Sequence, residues 1–391
     1  MNFIKKDIIY YLVVIIVSLI FFSNLESNPD KHTSKWGDQF FDADVYRVAE
    51  NLKNSKTLPQ SENNIHPFFP LVAVSIAKVP SYLGIENSEF NFYKIFFGTI
   101  SFFMFWFFLY KETTLLISFA SLILLMSTMT VRIWSTIPET FLFGFFTIML
   151  SLLLIRANVK PIYVMLSSFG GTITNVLFGF IYLLFKEKKL DKILKILISA
   201  AFAVVAISLI QKNIYTSATH FFDPSRIFND VSHINFDILK LPYKLFDFFI
   251  SGFVIPITPK STYPLDTYQI WGQFFLLENG NRVTLATFLS IFLLTFLIMR
   301  SLIYYFKLKK NFSMRIILYF LIFQLVLHSI FGYTPFLYSY HFIPLLIIFF
   351  AKVNFQSNFK YLSYTIIILA VLIQDVNIFH YGGTFNNLFI K

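Results

Sequence analysis

The chain has 391 residues, 56% of them hydrophobic and only 14% charged, where a typical soluble domain is about a quarter charged. That balance excludes a soluble enzyme and a separate soluble domain; residues 1–391 read as one membrane domain. The net charge of +11 does not imply nucleic acid, which would need a basic patch on a folded soluble surface.

The positive charge sits instead beside apolar runs, at Lys5-Lys6, Lys186 to Lys195, Lys307 to Arg315 and Lys352 to Lys360. Clusters so placed hold the cytoplasmic ends of membrane helices. Cys is absent, which excludes disulfides and thiolate metal sites.

In chain order, the first apolar run is Ile8 to Phe22. Polar residues follow it rather than a small-residue cleavage site, so it is expected to be a membrane helix with its N-terminus in the cytoplasm. Residues 23 to about 90 then form a first outer loop, where Glu26, Asp30, Asp38, Asp42, Asp44, Glu50 and Glu62 outnumber the basic residues up to position 66. Phe68 to Gly84, interrupted by Pro70, Lys78 and Pro80, suits a helix in the outer interface better than a crossing.

Apolar stretches follow at about 91–109, 113–137, 139–155, 161–185, 193–211, 283–306, 314–332, 338–351 and 361–379. Several approach the roughly 20 residues needed to cross about 30 Å of hydrocarbon. The stretch 161–185 carries Gly170-Gly171-Thr172 and Thr174-Asn175 at its middle, which suggests a broken or re-entrant pair shielded by protein. A second outer loop, about 212–282, includes an aromatic segment, Phe236 to Phe253, expected to rest on the membrane surface. The expected fold is therefore an all-α polytopic membrane protein with about 9–11 transmembrane helices and two large outer loops. Its N-terminus would be cytoplasmic and its C-terminus outside, in what would be a bacterial cytoplasmic membrane.

Three passages carry groups capable of chemistry. From Asp38 onward the first loop reads as an amphipathic helix, with Asp38, Asp42 and Tyr46 on one face. Alternatively that face is simply solvated, with Asp38 favoured near a helix N-terminus. Ile65-His66-Pro67-Phe68 returns the chain to the bilayer, and His66 there reads as a snorkelling or capping residue or as a ligand. In Ser135-Thr136-Ile137-Pro138-Glu139-Thr140, Glu139 lies at the start of a helix that Pro138 initiates. A carboxylate is favoured there, yet an ionisable group bordering hydrocarbon is also a functional candidate.

An acidic residue four before Tyr46, Ala49 three after it, and the later His66-Pro67-Phe68 re-entry resemble the GT-C superfamily of integral membrane glycosyltransferases. That superfamily includes protein O-mannosyltransferases and the lipid A aminoarabinose transferase. The resemblance covers residues 1 to about 185. It implies a GT-C-like fold and transfer of a sugar from a polyprenyl-phosphate donor to a glycan, lipid or protein acceptor on the outer face. It also implies that Asp42 is the acidic residue of the first loop, Glu139 the second acidic position and His66 the polar residue before the proline. Relatives often have adjacent acids where Asp42 and Asp44 are separated by Ala43. Near the end they often show Arg-Tyr, where this chain has Ser339-Tyr340-His341.

The chemistry asks for a base to take the acceptor's proton, for which Asp42 is the candidate, with Asp44 and Glu139 as further catalytic carboxylates. A departing lipid phosphate needs positive or hydrogen-bonding partners. Asp38, Tyr46, His66, Arg132, Tyr340 and His341 are the substrate-binding candidates. No cofactor is expected, although Asp42, Asp44 and Glu139 are the oxygen donors a hard cation would use. A polysaccharide polymerase or lipid-linked glycan flippase is one alternative, but the loop 212–282 has six charges of each sign and no basic surplus. A transporter is another, favoured by Gln324 and His328 inside one membrane helix.

Overall fold

The computed structural model describes residues 2–25, 45–53, 66–85, 88–215, 241–246, 248–249, 252–253, 260–261, 268–269, 285–307, 311–330 and 338–355. Helices dominate. In chain order they are α1 (Asn2–Asn24), α2 (Val45–Lys53), and a π-helical turn Phe69–Val74 continued by short turns Ser75–Ala77 and Val79–Tyr82. Then come α3 (Glu89–Glu112), α4 (Leu115–Ser127), α5 (Met129–Trp134), α6 (Phe141–Arg156), α7 (Pro161–Gly171), α8 (Val176–Lys186) and α9 (Leu190–Ile214). The remainder are α10 (Leu241–Phe246), α11 (Leu285–Lys307), α12 (Phe312–Ile330) and α13 (Ser339–Phe355). Two-residue strands β1 (Lys260–Ser261) and β2 (Tyr268–Gln269) pair antiparallel.

Among the described residues four helices, α1, α3, α9 and α12, are long and apolar enough to cross a membrane. Shorter apolar helices lie within or along α4, α6, α8, α11 and α13. The protein is thus an all-α membrane protein in outline.

Polar contacts fix which helix ends lie together. Asp7, near the start of α1, accepts from the Tyr110 hydroxyl at 2.7 Å and pairs with Lys111 at 3.5 Å. At the other end of the same pair, Lys94 Nζ donates to the Leu25 carbonyl at 2.6 Å. Helices α1 and α3 are therefore antiparallel. Glu112, closing α3, meets Arg156 Nε at 2.9 Å and Lys352 Nζ at 2.5 Å, which brings the ends of α6 and α13 to the same place. Lys186 Nζ donates to the carbonyls of Asn158 and Val159. Lys111, Arg156, Lys186 and Lys352 thus share one end of the bundle, here the basic end, as the positive-inside reading expects.

The same bonds explain residues 161–186. Helices α7 and α8 leave from and return to the basic end, each only about 16 Å long. They form a hairpin, in the stretch where Gly170-Gly171-Thr172 suggested a broken or re-entrant pair. Close approach makes it possible: a Cβ on Gly179 would collide with the backbone of Met165, and one on Gly171 with Thr147 and the Cα of Gly144.

Helix α13 forms the centre of the bundle. From Phe342 to Ala351 it is apolar on every side, and Phe342, Ile343, Leu345 to Ala351 and Val353 are all buried, as such a stretch must be. Helix α3 presents a packed wall of rings, with Trp106 stacked on Tyr110 at 4.9 Å and Phe97 edge-on to Phe143 and Phe146. Helix α9 lies at the periphery with Leu194, Ile198, Phe202, Leu209 and Ile214 exposed, as a lipid-facing helix would have them.

Three expectations are corrected. The run 113–137 is not one helix: it breaks at Thr128, whose backbone is extended and whose hydroxyl donates to the Leu125 carbonyl. Phe68 to Gly84 is not one interfacial helix but a series of short turns, folded inward so that Phe69, Pro70, Ala73, Val74, Ala77 and Lys78 are buried. It does not cross. The described part of Phe236 to Phe253 does not rest on a surface either. Phe248 and Phe253 are buried, Phe248 stacks on Phe342 at 3.9 Å, and the Gly252 carbonyl accepts from Thr130. Packing against α13 removes these rings from both water and headgroups.

Candidate functional site

At the end opposite the basic cluster, the loop before α6 meets the tip of the α7–α8 hairpin and the start of α13. Glu139 and Thr140 sit at the N-terminus of α6, where the first backbone N–H groups lack helical partners. The Glu139 carboxylate accepts from the Thr140 N–H at 2.8 Å, so the chain caps itself. Tyr93 of α3 closes the arrangement, its hydroxyl donating to the Glu139 carbonyl at 2.9 Å and accepting from the Phe143 N–H at 3.1 Å. Glu139 is buried, 3% exposed, so an ionised carboxylate there depends on such bonds.

His66 enters from the other side. Its Nδ1 lies 2.8 Å from the Gly171 carbonyl and 3.3 Å from the Thr172 hydroxyl; its Nε2 lies 3.0 Å from the Thr140 hydroxyl. The next turn is tied down as well, the Phe68 N–H donating to the Gly170 carbonyl at 3.0 Å. The hairpin tip, whose carbonyls have no helical partners, is satisfied by the segment carrying His66. Glu139 and His66, some seventy positions apart, are joined through one hydroxyl.

Tyr340 and His341 open α13 beside them. The Tyr340 hydroxyl and Ser135 Oγ are 2.5 Å apart, and Ser339 accepts from Thr130 at 2.8 Å. His341 is buried edge-on to Phe141, and its Nε2 has no hydrogen-bond partner among the described residues. Its ring occupies the space a Cβ on Gly144 would need. Arg132 lies on α5, half-buried. So Glu139, His66, Tyr340 and His341 are brought together, with Arg132 on the adjoining helix.

Asp38, Asp42 and Asp44 lie outside the described residues, and so does the helical face proposed to carry the first two. Tyr46 falls in the first turn of α2, its side chain outside the described set. Helix α2 packs through Val48, Ala49 and Leu52, one face by helical spacing, against α3 and the Phe69–Val74 turn. The chain following Asp44 is thereby anchored beside the site. Among the described residues no group of three or more His, Asp or Glu is arranged to hold a metal.

Thr140 and Tyr93 carry the geometry but were not singled out from sequence. Thr140 has a recognisable signal, a hydroxyl residue at a helix start, yet its side chain makes no cap bond and turns to His66 instead. Deeper in the bundle, Gln324 donates to Asn175 Oδ1 at 3.2 Å and lies 2.8 Å from His328 Nε2. The polar residues at the middle of 161–185 and of α12 answer one another. No protein-family model matches the chain, and no curated protein or solved structure resembles it significantly.

Proposed function

We propose that this chain is a membrane glycosyltransferase of the GT-C type, moving a sugar from a polyprenyl-phosphate donor to a glycan, lipid or protein acceptor on the outer face of a bacterial cytoplasmic membrane. The observation that carries the reading is the meeting of Glu139 and His66 at the end away from the basic cluster, where α2 is also packed. That is the end a cytoplasmic N-terminus would turn outward. On this reading Asp42 takes the proton of the acceptor hydroxyl or amine as it attacks the sugar carbon. The bond from that carbon to the phosphate oxygen breaks, and its electrons leave with the phosphate. His66, Arg132, Tyr340 and His341 receive that charge. Lipid surrounding the bundle accommodates the polyprenyl tail, and no cofactor takes part.

A transporter is the second reading, supported by the Asn175–Gln324–His328 network inside the bundle. Comparative mass spectrometry of surface glycans and lipid-linked sugars, with and without the protein, separates the two. A missing surface sugar with its lipid-linked donor accumulating supports the transferase; unchanged glycans on both counts reject it.

A further inference from the structure

We propose that Thr140 is a proton relay between His66 and Glu139, so that the two residues act as one acid–base unit in the transfer reaction proposed above, on which the inference rests. The Thr140 hydroxyl lies 3.0 Å from His66 Nε2 and 3.4 Å from Glu139 Oε2. It has one proton and two acceptors, and serves one at a time. The other imidazole nitrogen has no such freedom. Nδ1 faces the Gly171 carbonyl at 2.8 Å; a carbonyl only accepts, so Nδ1 keeps its proton. Nε2 is the nitrogen that gains and loses one.

Two bonding patterns follow. With Nε2 bare, the Thr140 hydroxyl donates to it. With Nε2 protonated, Nε2–H donates to Thr140 Oγ1 and the hydroxyl turns to Glu139. Passing between them moves a proton: the Glu139 carboxylic acid gives its proton to Thr140 Oγ1 while the Thr140 proton moves to Nε2. Acid plus imidazole becomes carboxylate plus imidazolium, Thr140 is restored, and no electron is gained or lost. In the reaction, Asp42 removes the acceptor's proton and the relay places a positive charge on His66 as the phosphate departs.

The titratable and charged groups facing the relay come from three elements. Tyr93 of α3 is occupied by Glu139 and Phe143, Tyr340 of α13 by Ser135, and His341 of α13 is buried edge-on to Phe141. Arg132 lies on α5. Thr140 is hydrogen-bonded to both members of the relay.

The full chain in lipid nanodiscs with ¹⁵N-labelled histidine tests this, the His66 signals being assigned by their loss in His66→Gln. Glu139→Gln should lower the His66 titration midpoint by about 1 pH unit, the low end for losing a nearby opposite charge. In a Thr140→Val background the same substitution should shift it far less, and Thr140→Ser should restore the coupling. If Thr140→Val fails to fold, Thr140→Ala carries the comparison. An equal Glu139→Gln shift with and without the hydroxyl overturns the relay, since coupling would then run through space. The readout is independent of catalysis: coupling without any glycan change sinks the transferase reading alone, and glycan transfer without coupling sinks the relay alone.

Discussion

Lys186 Nζ reaches the carbonyl of Val159 at 2.8 Å, so the chain that leaves the basic end at Pro161 is back there by the end of α8. Every later helix keeps the side this hairpin gives it. The prediction is topological. Cysteines introduced at Leu83 and Lys188, both exposed, should report opposite faces, and the native chain contributes no thiol background. An impermeant maleimide on intact cells should label Leu83→Cys and spare Lys188→Cys. Labelling of both would mean that 161–186 crosses.

The contact of Glu112 with both Arg156 and Lys352 predicts a steep stability cost. Lys352 is buried, and removing the partner of a buried charge typically costs about 3–5 kcal/mol. Glu112→Gln should lower the thermal midpoint in detergent sharply, and the double variant Glu112→Gln/Lys352→Met should recover most of the loss. An unchanged midpoint for the single variant would show that the ion pair holds nothing together.

A pH effect is expected from Lys78. Burial lowers its amine from the ordinary 10.5 to about 8, against a smaller opposing pull from Glu89. Between those values the unfolded chain holds the proton and the folded chain does not, so folding stability rises with pH from about 8 to 10.5. It is weakest below that window, where a buried ammonium must be tolerated. Thermal midpoints measured from neutral pH to pH 10 should climb in the native chain, and Lys78→Met should flatten the climb. A falling curve that Lys78→Met leaves unaltered would contradict the assignment.

The proposed chemistry predicts unequal roles for two neighbouring acids. Asp42→Asn keeps the side chain's shape but cannot accept a proton at neutral pH, so transfer should fall by about 10²–10⁴-fold. Asp44→Asn, turned from that face in a helical reading, should cost less than about tenfold. Activity measured with the lipid-linked sugar that accumulates in cells lacking the protein decides between them. If Asp44 proves essential and Asp42 dispensable, the base is Asp44 and the helical phase is wrong.

Much of the architecture could be read from local chemistry. Lys111, Arg156, Lys186 and Lys352 each close an apolar run, and the contacts gather them at one end. Gly170, Gly171 and Asn175 announced a backbone that lipid would not tolerate, and that backbone proved to be a hairpin tip. The break at Thr128 was hidden because Ser127, Thr128 and Thr130 are short hydroxyl residues inside an otherwise apolar run, and only a backbone torsion interrupts the helix. The inward path of Phe248 and Phe253 was hidden for a related reason: an aromatic residue suits a membrane interface and a protein core equally. Thr140 was invisible as a bridge because its meaning comes from His66, a partner that periodicity cannot locate. Asp42 still stands on the amphipathic pattern and the GT-C resemblance alone.

The α7–α8 hairpin also has a consequence for biogenesis. Neither arm is long enough to span about 30 Å of hydrocarbon, and its tip carries polar backbone and the Asn175 amide, which bare lipid would reject. The partners that satisfy the tip are synthesised on both sides of it: His66 and Phe68 before, Gln324 well after. A nascent chain halted at α9 would hold a hairpin seated against His66 and α6 but lacking the Gln324 bond to Asn175. The amino-terminal half is therefore left incomplete until α12 enters the membrane, and that interval is when quality-control proteases would find the chain easiest to recognise.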